Sequence, residues 1–242
     1  MKKRNISNRT IALIAAAVLL FAGGTFTGTR AVLNVFSPEH FLEFETDSQF
    51  VQIEEVQSDN SVVTSNLLTS LDGKVTPGKV YDEKIRARNN TTDAPQFVRI
   101  IVRKYWKDAD GNKVHSYDGE TVTAPDPALI KLDLDSSLWQ KNSEESTVER
   151  EVYYYKNSVG IGEVTENLTK SISVDNSVAE NPKMTEENGV ITYTYDYDGY
   201  QVCLEAEAQS IQTHNASDAV RSIWGVTNVT VSGDTLTVNK AN

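Results

Sequence analysis

The stretch Gln96-Phe-Val-Arg-Ile-Ile-Val-Arg-Lys-Tyr-Trp106 carries the strongest strand signal in the chain. It is dense in β-branched and aromatic residues, which fit the pleated surface of a sheet. Directly after it, Asp108-Ala-Asp-Gly-Asn-Lys113 predicts a tight turn, and residues 114–117 are predicted to return antiparallel. A long strand followed by a tight turn favours antiparallel pairing, so the expected fold class is all-β.

Most of the remaining segments alternate between apolar and polar residues, which is typical of strands with one buried face. Residues 79–88 follow this pattern and place Tyr81, Glu83, Ile85 and Ala87 on one side. Further strands are predicted at 146–155, 168–174, 190–197, 200–208 and within 226–238. The third and fourth of these are predicted to pair across Asp198-Gly199, a dipeptide suited to a two-residue hairpin turn.

Helical signals are few and short. In residues 213–224, Asn215 stands at a capping position, and the apolar residues after it repeat at helical spacing until Gly225 ends the segment. Another short helical turn is predicted at 127–130. Many short strands separated by turn residues, with no internal repeat and no proline- or serine-rich linker, predict one antiparallel β-sandwich domain over residues 28–242.

The predicted core takes apolar residues from the inner faces of these elements. It consists of Ile85, Phe97, Ile101, Tyr105, Val148, Leu204, Val220 and Trp224. Cys203, the single cysteine, falls on the other face of its strand and is interpreted as a half-buried strand residue rather than a catalytic thiol. The tyrosines at 153–155, 193, 195 and 197 are interpreted as packing residues rather than a sugar-binding platform.

The N-terminal residues 1–27 have the three-part layout of a secretory signal peptide, which is expected to form a helix ahead of the mature domain. A basic start without acids precedes an apolar run at 11–22, and small residues follow. Cleavage is predicted between Thr27 and Gly28, because Thr25 and Thr27 give the small side chains that a signal peptidase accepts. Thr29-Arg30-Ala31 is a second candidate. The alternative is an uncleaved anchor, for which the apolar run is short.

The mature part is strongly acidic. The leader holds four of the 23 basic residues, which leaves 19 against 34 acidic residues and a net charge of −15. Such a charge repels nucleic-acid phosphates and favours solubility outside the cell. A single cysteine cannot form an internal disulfide, so the domain is expected to be held by its core alone.

No catalytic, cofactor-binding or metal-binding motif stands out in the sequence. The histidines lack the spacing of a zinc-binding helix motif; they are His40, His115 and His214. The Asp108–Lys113 segment differs from a calcium loop in the position of its glycine, and a hairpin turn is the preferred interpretation. The acidic pairs Glu54-Glu55 and Glu144-Glu145 are expected to lie on the solvated surface.

Several segments, in order, resemble the camelysin and TasA-like secreted proteins of Gram-positive bacteria. The signal region contributes Gly23-Gly24-Thr25-Phe26 after a short apolar run. The mature chain contributes Asn66-Leu-Leu68, Pro77–Lys84, Val98–Val102, Tyr105-Trp106, Ser146–Arg150, Tyr153–Tyr155, Gln212–Ala216 and Trp224-Gly-Val226. The resemblance implies a jelly-roll-like antiparallel sandwich and export through a SipW-type signal peptidase.

The function expected from these features is that of a secreted structural protein, a biofilm matrix or surface-fibre subunit. Its partners would be other copies of itself or related matrix proteins, with no nucleic acid and no stable membrane anchor after cleavage. Two alternatives remain open. One is a secreted metallopeptidase of the camelysin type, although the His-Glu-x-x-His site is missing; the other is an adhesin or glycan-binding module.

Residues 28–44 are a candidate donor strand. They contain many apolar side chains for a free tail, including Phe36, Phe41 and Phe44. An added strand satisfies the unpaired backbone groups of a sheet edge in the next subunit. The alternative is that the same residues fold back as the first strand of their own domain.

Overall fold

The computed structural model describes residues 50–64, 75–114, 126–179, 183–187, 190–194 and 199–239, with backbone only for 183–187 and 190–194. All of them belong to the unit Val32–Asn242, which is distinct from Met1–Ala31. The strands in chain order are β1 Val51–Val56, β2 Val62–Val63, β3 Val80–Asp82, β4 Ile85–Asn89, β5 Gln96–Lys107, β6 Ile130–Leu134, β7 Trp139–Lys141, β8 Arg150–Tyr155, β9 Thr169–Val174, β10 Lys183–Glu187, β11 Val190–Thr194, β12 Gln201–Gln212, β13 Val229–Ser232 and β14 Thr235–Val238. The fold is all-β and sandwich-like, and the described ranges contain one α-helix, α1, at Ala216–Ser222.

The predicted long strand is confirmed as β5, which lies inside a four-stranded antiparallel sheet of order β12-β5-β8-β7. The turn after β5 is confirmed as well. Gly111 has a φ of 83°, which favours glycine, and its N–H closes the turn by donating to the Asp108 carbonyl. The Asp108 carboxylate also accepts from the backbone N–H groups of Asp110 and Asn112, at 3.0 and 2.9 Å.

A second layer combines two three-stranded sheets, β2-β1-β4 and β3-β9-β6. The loop between β8 and β9 joins them, because it follows the edge of β4. Thr165 N donates to the Ala87 carbonyl at 2.9 Å and Leu168 N to the Ile85 carbonyl at 2.6 Å. Backbone groups at the edge of β4 thereby gain hydrogen-bond partners although no regular strand lies there.

The predicted strand at 79–88 is divided between the two sheets of this layer. β3 pairs with β9, and β4 pairs with β1. The side-chain alternation nevertheless continues through the bend: Tyr81, Glu83, Ile85 and Ala87 share one face, as predicted, and all four are buried. A strand that changes sheets at a bend is a common way of closing a sandwich.

The central sheet buries both of its faces. One face of β5, with Val98, Ile100 and Val102, packs against the second layer and forms the larger core cluster. The opposite face, with Phe97 and Ile101, is covered by α1 and by the β13–β14 hairpin. Because both faces of β5 are buried, its apolar residues form a nearly continuous run instead of a strict alternation.

Seven of the eight predicted core residues are buried, and Val148 is wrong because its side chain is 51% exposed. β8 begins only at Arg150, and the residues before it form a turn in which Thr147 N donates to the Arg150 carbonyl at 2.6 Å. The predicted strand at 146–155 therefore starts four residues too early, and the alternation used to place Val148 inside does not extend to it.

Replacing Val148 with alanine is expected to change the free energy of unfolding by less than about 0.5 kcal/mol, because its side chain is exposed. The same substitution at the fully buried Val152 is expected to cost at least about 1.5 kcal/mol, given about 0.8 kcal/mol per buried CH2 group. Chemical denaturation of the two variants measures the difference. Equal losses of unfolding free energy in the two variants would contradict the placement of Val148 in an exposed turn.

The predicted hairpin of residues 190–197 with 200–208 is wrong over the described residues, where no ladder joins β11 to β12. β11 pairs with β10, and β12 pairs with β5 along its full length. A turn dipeptide is a local signal, whereas the partner of β12 lies about a hundred positions earlier in the chain. The predicted strand pair within 226–238 is confirmed as β13 and β14.

The helix predictions hold in position. α1 follows Asn215 and the short 3-10 turn covers Pro127–Leu129. The capping role given to Asn215 is wrong in detail, because this residue has a φ of 55° and its side chain makes no capping hydrogen bond. Among the described residues no helix has the length and apolar character needed to span a membrane.

Candidate functional site

Within the described ranges, one edge of the 12-residue strand β12 has no strand hydrogen-bonded to it. Thr213 N donates to the Pro95 carbonyl at 3.2 Å, which continues the β12–β5 register and places the ladder bonds at odd-numbered residues. The backbone groups that point away from β5 are those of the even-numbered residues Val202, Leu204, Ala206, Ala208 and Ser210. We call these groups the open edge; β1 comes close to β12 without forming a ladder with it.

The side chains of β12 divide cleanly between the two faces of the sheet. Val202, Leu204, Ala206 and Ala208 are buried in the larger core cluster, as the alternation predicts. The odd-numbered side chains are half-buried and polar, apart from Ile211 near the end of the strand. The strand that carries the open edge therefore has one buried apolar face and one half-buried polar face.

Two glutamates dominate the polar face of β12. Tyr105 donates its hydroxyl hydrogen to Glu205 Oε1 at 2.5 Å, and Arg103 Nη2 donates to Glu207 Oε2 at 2.9 Å. Gln209 Nε2 also donates to Glu207. These contacts hold both carboxylates over the sheet, at the middle of the strand whose edge is open.

Cys203 shares this polar face and is half-buried, as predicted. Burial raises the pKa of its thiol to about 11. A thiol with a raised pKa is almost wholly protonated at neutral pH and is a poor nucleophile. The geometry is consistent with a packing role for Cys203.

A second group of charged side chains lies between the two layers, around Glu151. Lys104 Nζ donates to the Ile130 carbonyl at 2.9 Å and lies 3.4 Å from Glu151 Oε1. Lys141 and the Tyr153 hydroxyl donate to the same carboxylate at 2.8 and 2.7 Å. Burial lowers the pKa of Lys104. Burial acts to raise the pKa of Glu151, but its hydrogen bonds and neighbouring lysines outweigh this effect and lower it.

A third group surrounds the buried Arg99 on the other face of β5. Its guanidinium donates to Gln209 at 2.8 Å, Glu145 at 3.0 Å and the Tyr154 hydroxyl at 2.9 Å. It also lies over the indole ring of Trp224, 5.0 Å from the ring centroid. Trp224 follows α1, so this group ties the segment after the helix to the central sheet, and its role is structural.

The expectation that the acidic pairs lie on solvated surface is wrong for three of the four residues. Glu54 and Glu55 are 3% and 2% exposed, and Glu145 is held by Arg99. Glu54 bridges Arg86, at 2.7 Å, and Arg88. Of the four, only Glu144 is exposed. Both arginines lie on β4, so no local pattern around Glu54 could reveal them.

Several sequence predictions fall outside the described residues. They are the cleavage residues Thr25, Thr27 and Gly28, the donor segment 28–44, and His40 and His115. His214 is described and is exposed next to α1. In the described ranges no three His, Cys, Asp or Glu side chains are grouped so that they could hold a metal ion. The tyrosines 153–155 are buried, which confirms their packing role.

The alternation of β12 was recognised from the sequence, but its open edge was not, because an edge depends on which strands pair.

Comparisons of the chain with family models, with curated proteins and with solved structures found no match. The resemblance to camelysin and TasA-like proteins therefore stays a prediction.

Proposed function

We propose that this protein is a secreted extracellular structural subunit of the TasA-like or camelysin-like kind, which self-associates in a biofilm matrix or surface fibre. The observation that carries the proposal is the open edge of β12. A 12-residue edge with no ladder partner among the described residues is a template for pairing with another strand. Here the edge is long and regular.

The composition of β12 supports strand addition. Its buried face alternates regularly through Leu204, Ala206 and Ala208, so an added strand in register would continue the apolar inner face of the sheet. Main-chain hydrogen bonds would supply affinity, and alternate side chains would supply specificity. A jelly-roll arrangement of the two layers is part of the same proposal.

The N-terminal region supports the extracellular setting. Residues 1–27 have the signal-peptide layout, and cleavage after Thr27 by a SipW-type peptidase would free residues 28–44 as a candidate donor strand. The mature net charge of −15 suits a protein that must stay soluble until it assembles.

The proposal predicts that the purified mature chain, residues 28–242, forms fibres visible by electron microscopy and that blocking the open edge prevents it. Ala208→Pro is the sharpest block, because the Ala208 N–H points away from β5 and its loss leaves the β12–β5 ladder intact. The variant should remain folded and stay monomeric in sedimentation velocity.

The matched control is Ala109→Pro. Ala109 is exposed at the second position of the turn that Asp108 and Gly111 close, where proline is favoured. This variant should assemble like the wild type. Deletion of residues 28–44 tests the donor segment separately and should leave a folded domain that fails to polymerise. A wild-type chain that stays monomeric in all conditions, or an Ala208→Pro variant that polymerises normally, would count against the proposal.

A further inference from the structure

We infer that Glu205 and Glu207 disfavour pairing of the open edge of β12 with the β12 strand of a second copy in the registers centred near the middle of the strand, and so favour docking of a second copy through a different strand. The inference rests on the proposed self-association and specifies its geometry. It is carried by the position of the two acids, which lie on either side of Ala206, at the middle of the 12-residue strand.

A symmetric pair of β12 strands must place its two-fold axis near this midpoint to keep a long overlap. The open-edge bonds join even-numbered residues, so odd-numbered residues lie opposite odd-numbered residues. With the axis at Ala206, Glu205 of each copy lies opposite Glu207 of the other. With the axis at 205 or 207, one of the two glutamates lies opposite its own counterpart.

The registers with the axis at 205, 206 or 207 therefore bring carboxylates together on the same face, with Cβ atoms about 4.5–5.5 Å apart. With the axis at Ala208, Glu207 lies opposite Gln209 of the other copy, and its own counterpart is only a diagonal neighbour. Like charges directly opposite one another destabilise a strand pair. Arg103 supplies one cation for the two carboxylates, and Glu205 is held by the neutral Tyr105 hydroxyl. The arginine of each copy therefore offsets only part of the repulsion.

The consequence concerns the kind of assembly that can form. A symmetric edge-to-edge pair would use both open edges and end growth as a closed dimer. A different strand docked on β12 leaves that copy's own β12 free for the next copy, and such head-to-tail contacts continue into filaments. The two glutamates would thus select open-ended growth over closed pairs.

The first test neutralises both acids in the mature chain. Glu205→Gln with Glu207→Gln should form a dimer whose dissociation constant is at least about tenfold lower than that of any wild-type dimer. Sedimentation equilibrium measures this constant. Glu144→Gln with Glu163→Gln removes the same charge from exposed loop positions and should behave like the wild type.

The second test uses charge reversal, which separates pairing from a general loss of negative charge. Glu205→Lys alone places the new ammonium opposite Glu207 of the partner copy, twice per dimer, and should give the tightest dimer. Glu205→Lys combined with Glu207→Lys restores like-charge opposition and should not dimerise.

Dimerisation of the doubly reversed variant as strong as that of Glu205→Lys would overturn the inference, as would neutralised variants that associate no more than the wild type. These outcomes leave the proposed function standing if the wild type still forms fibres. Conversely, a wild type without fibres would reject the proposed function, while the dimerisation of the variants would still decide the role of the glutamates.

Discussion

Replacing Glu151 with glutamine is expected to lower the free energy of unfolding by about 3–5 kcal/mol, one of the two largest single-residue effects predicted here. Glu151 is the carboxylate that compensates Lys104, whose side chain is 9% exposed between the layers. Glutamine keeps the size and can still accept a hydrogen bond from the Tyr153 hydroxyl, but it leaves the ammonium without its counter-charge. Urea denaturation at pH 7 measures the loss.

Glu149→Gln is the matched control. Glu149 also pairs with a lysine, Lys113, at 2.7 Å, but both side chains are at least 30% exposed. An exposed pair of this kind contributes about 0–1 kcal/mol. Similar losses in the two variants would show that burial of the Lys104–Glu151 pair is unimportant.

The loss of unfolding free energy caused by Glu151→Gln should become smaller as the pH is raised from 7 to about 10. Burial already holds the pKa of Lys104 below its usual value, and Glu151 opposes this effect. Without Glu151 the pKa falls further, so the folded variant releases the proton at a lower pH than the unfolded chain. Between the pKa of Lys104 in the folded variant and its pKa in the unfolded chain, the unfolded chain binds more protons. The stability of the variant therefore rises with pH in this range. A loss that is independent of pH would contradict this account.

The elements that could be predicted from the sequence are those whose signal is local. β5 is rich in β-branched and aromatic residues, and the turn at Asp108–Lys113 needs only its own side chains and one glycine. The faces of β12 follow from alternation, which explains why Leu204 was placed inside and Cys203 half-buried. Local patterns thus predict which side of a strand is buried.

Features that depend on distant partners could not be predicted. Glu54 reads as a surface acid until β4 brings Arg86 and Arg88 beside it. The Asp198-Gly199 turn suggested a hairpin, yet β12 has the more favourable partner in β5, where two 12-residue strands match over their full length. The open edge of β12 also depends on distant partners. Whether one side of a strand lacks a neighbour is known only when the pairing of all the other strands is known.

Phe97→Ala is expected to destabilise the protein by about 3–5 kcal/mol, through lost burial and the cavity left behind. The Phe97 side chain is fully buried in the second core cluster, where β5 meets α1 and the β13–β14 hairpin. Phe50→Ala is the matched control, because that ring is 56% exposed and its loss should change stability by less than about 0.5 kcal/mol.

The unfolding curve of Phe97→Ala also tests whether the two core clusters unfold together. β5 supplies alternate residues to both core clusters, so loosening the Phe97 face also loosens the strand that carries Ile100 and Val102. We therefore expect Phe97→Ala to unfold in one cooperative transition, with circular dichroism and tryptophan fluorescence coincident. Separate transitions would mean that α1 and the hairpin melt independently of the sandwich. A loss no larger than that of Phe50→Ala would remove Phe97 from the core.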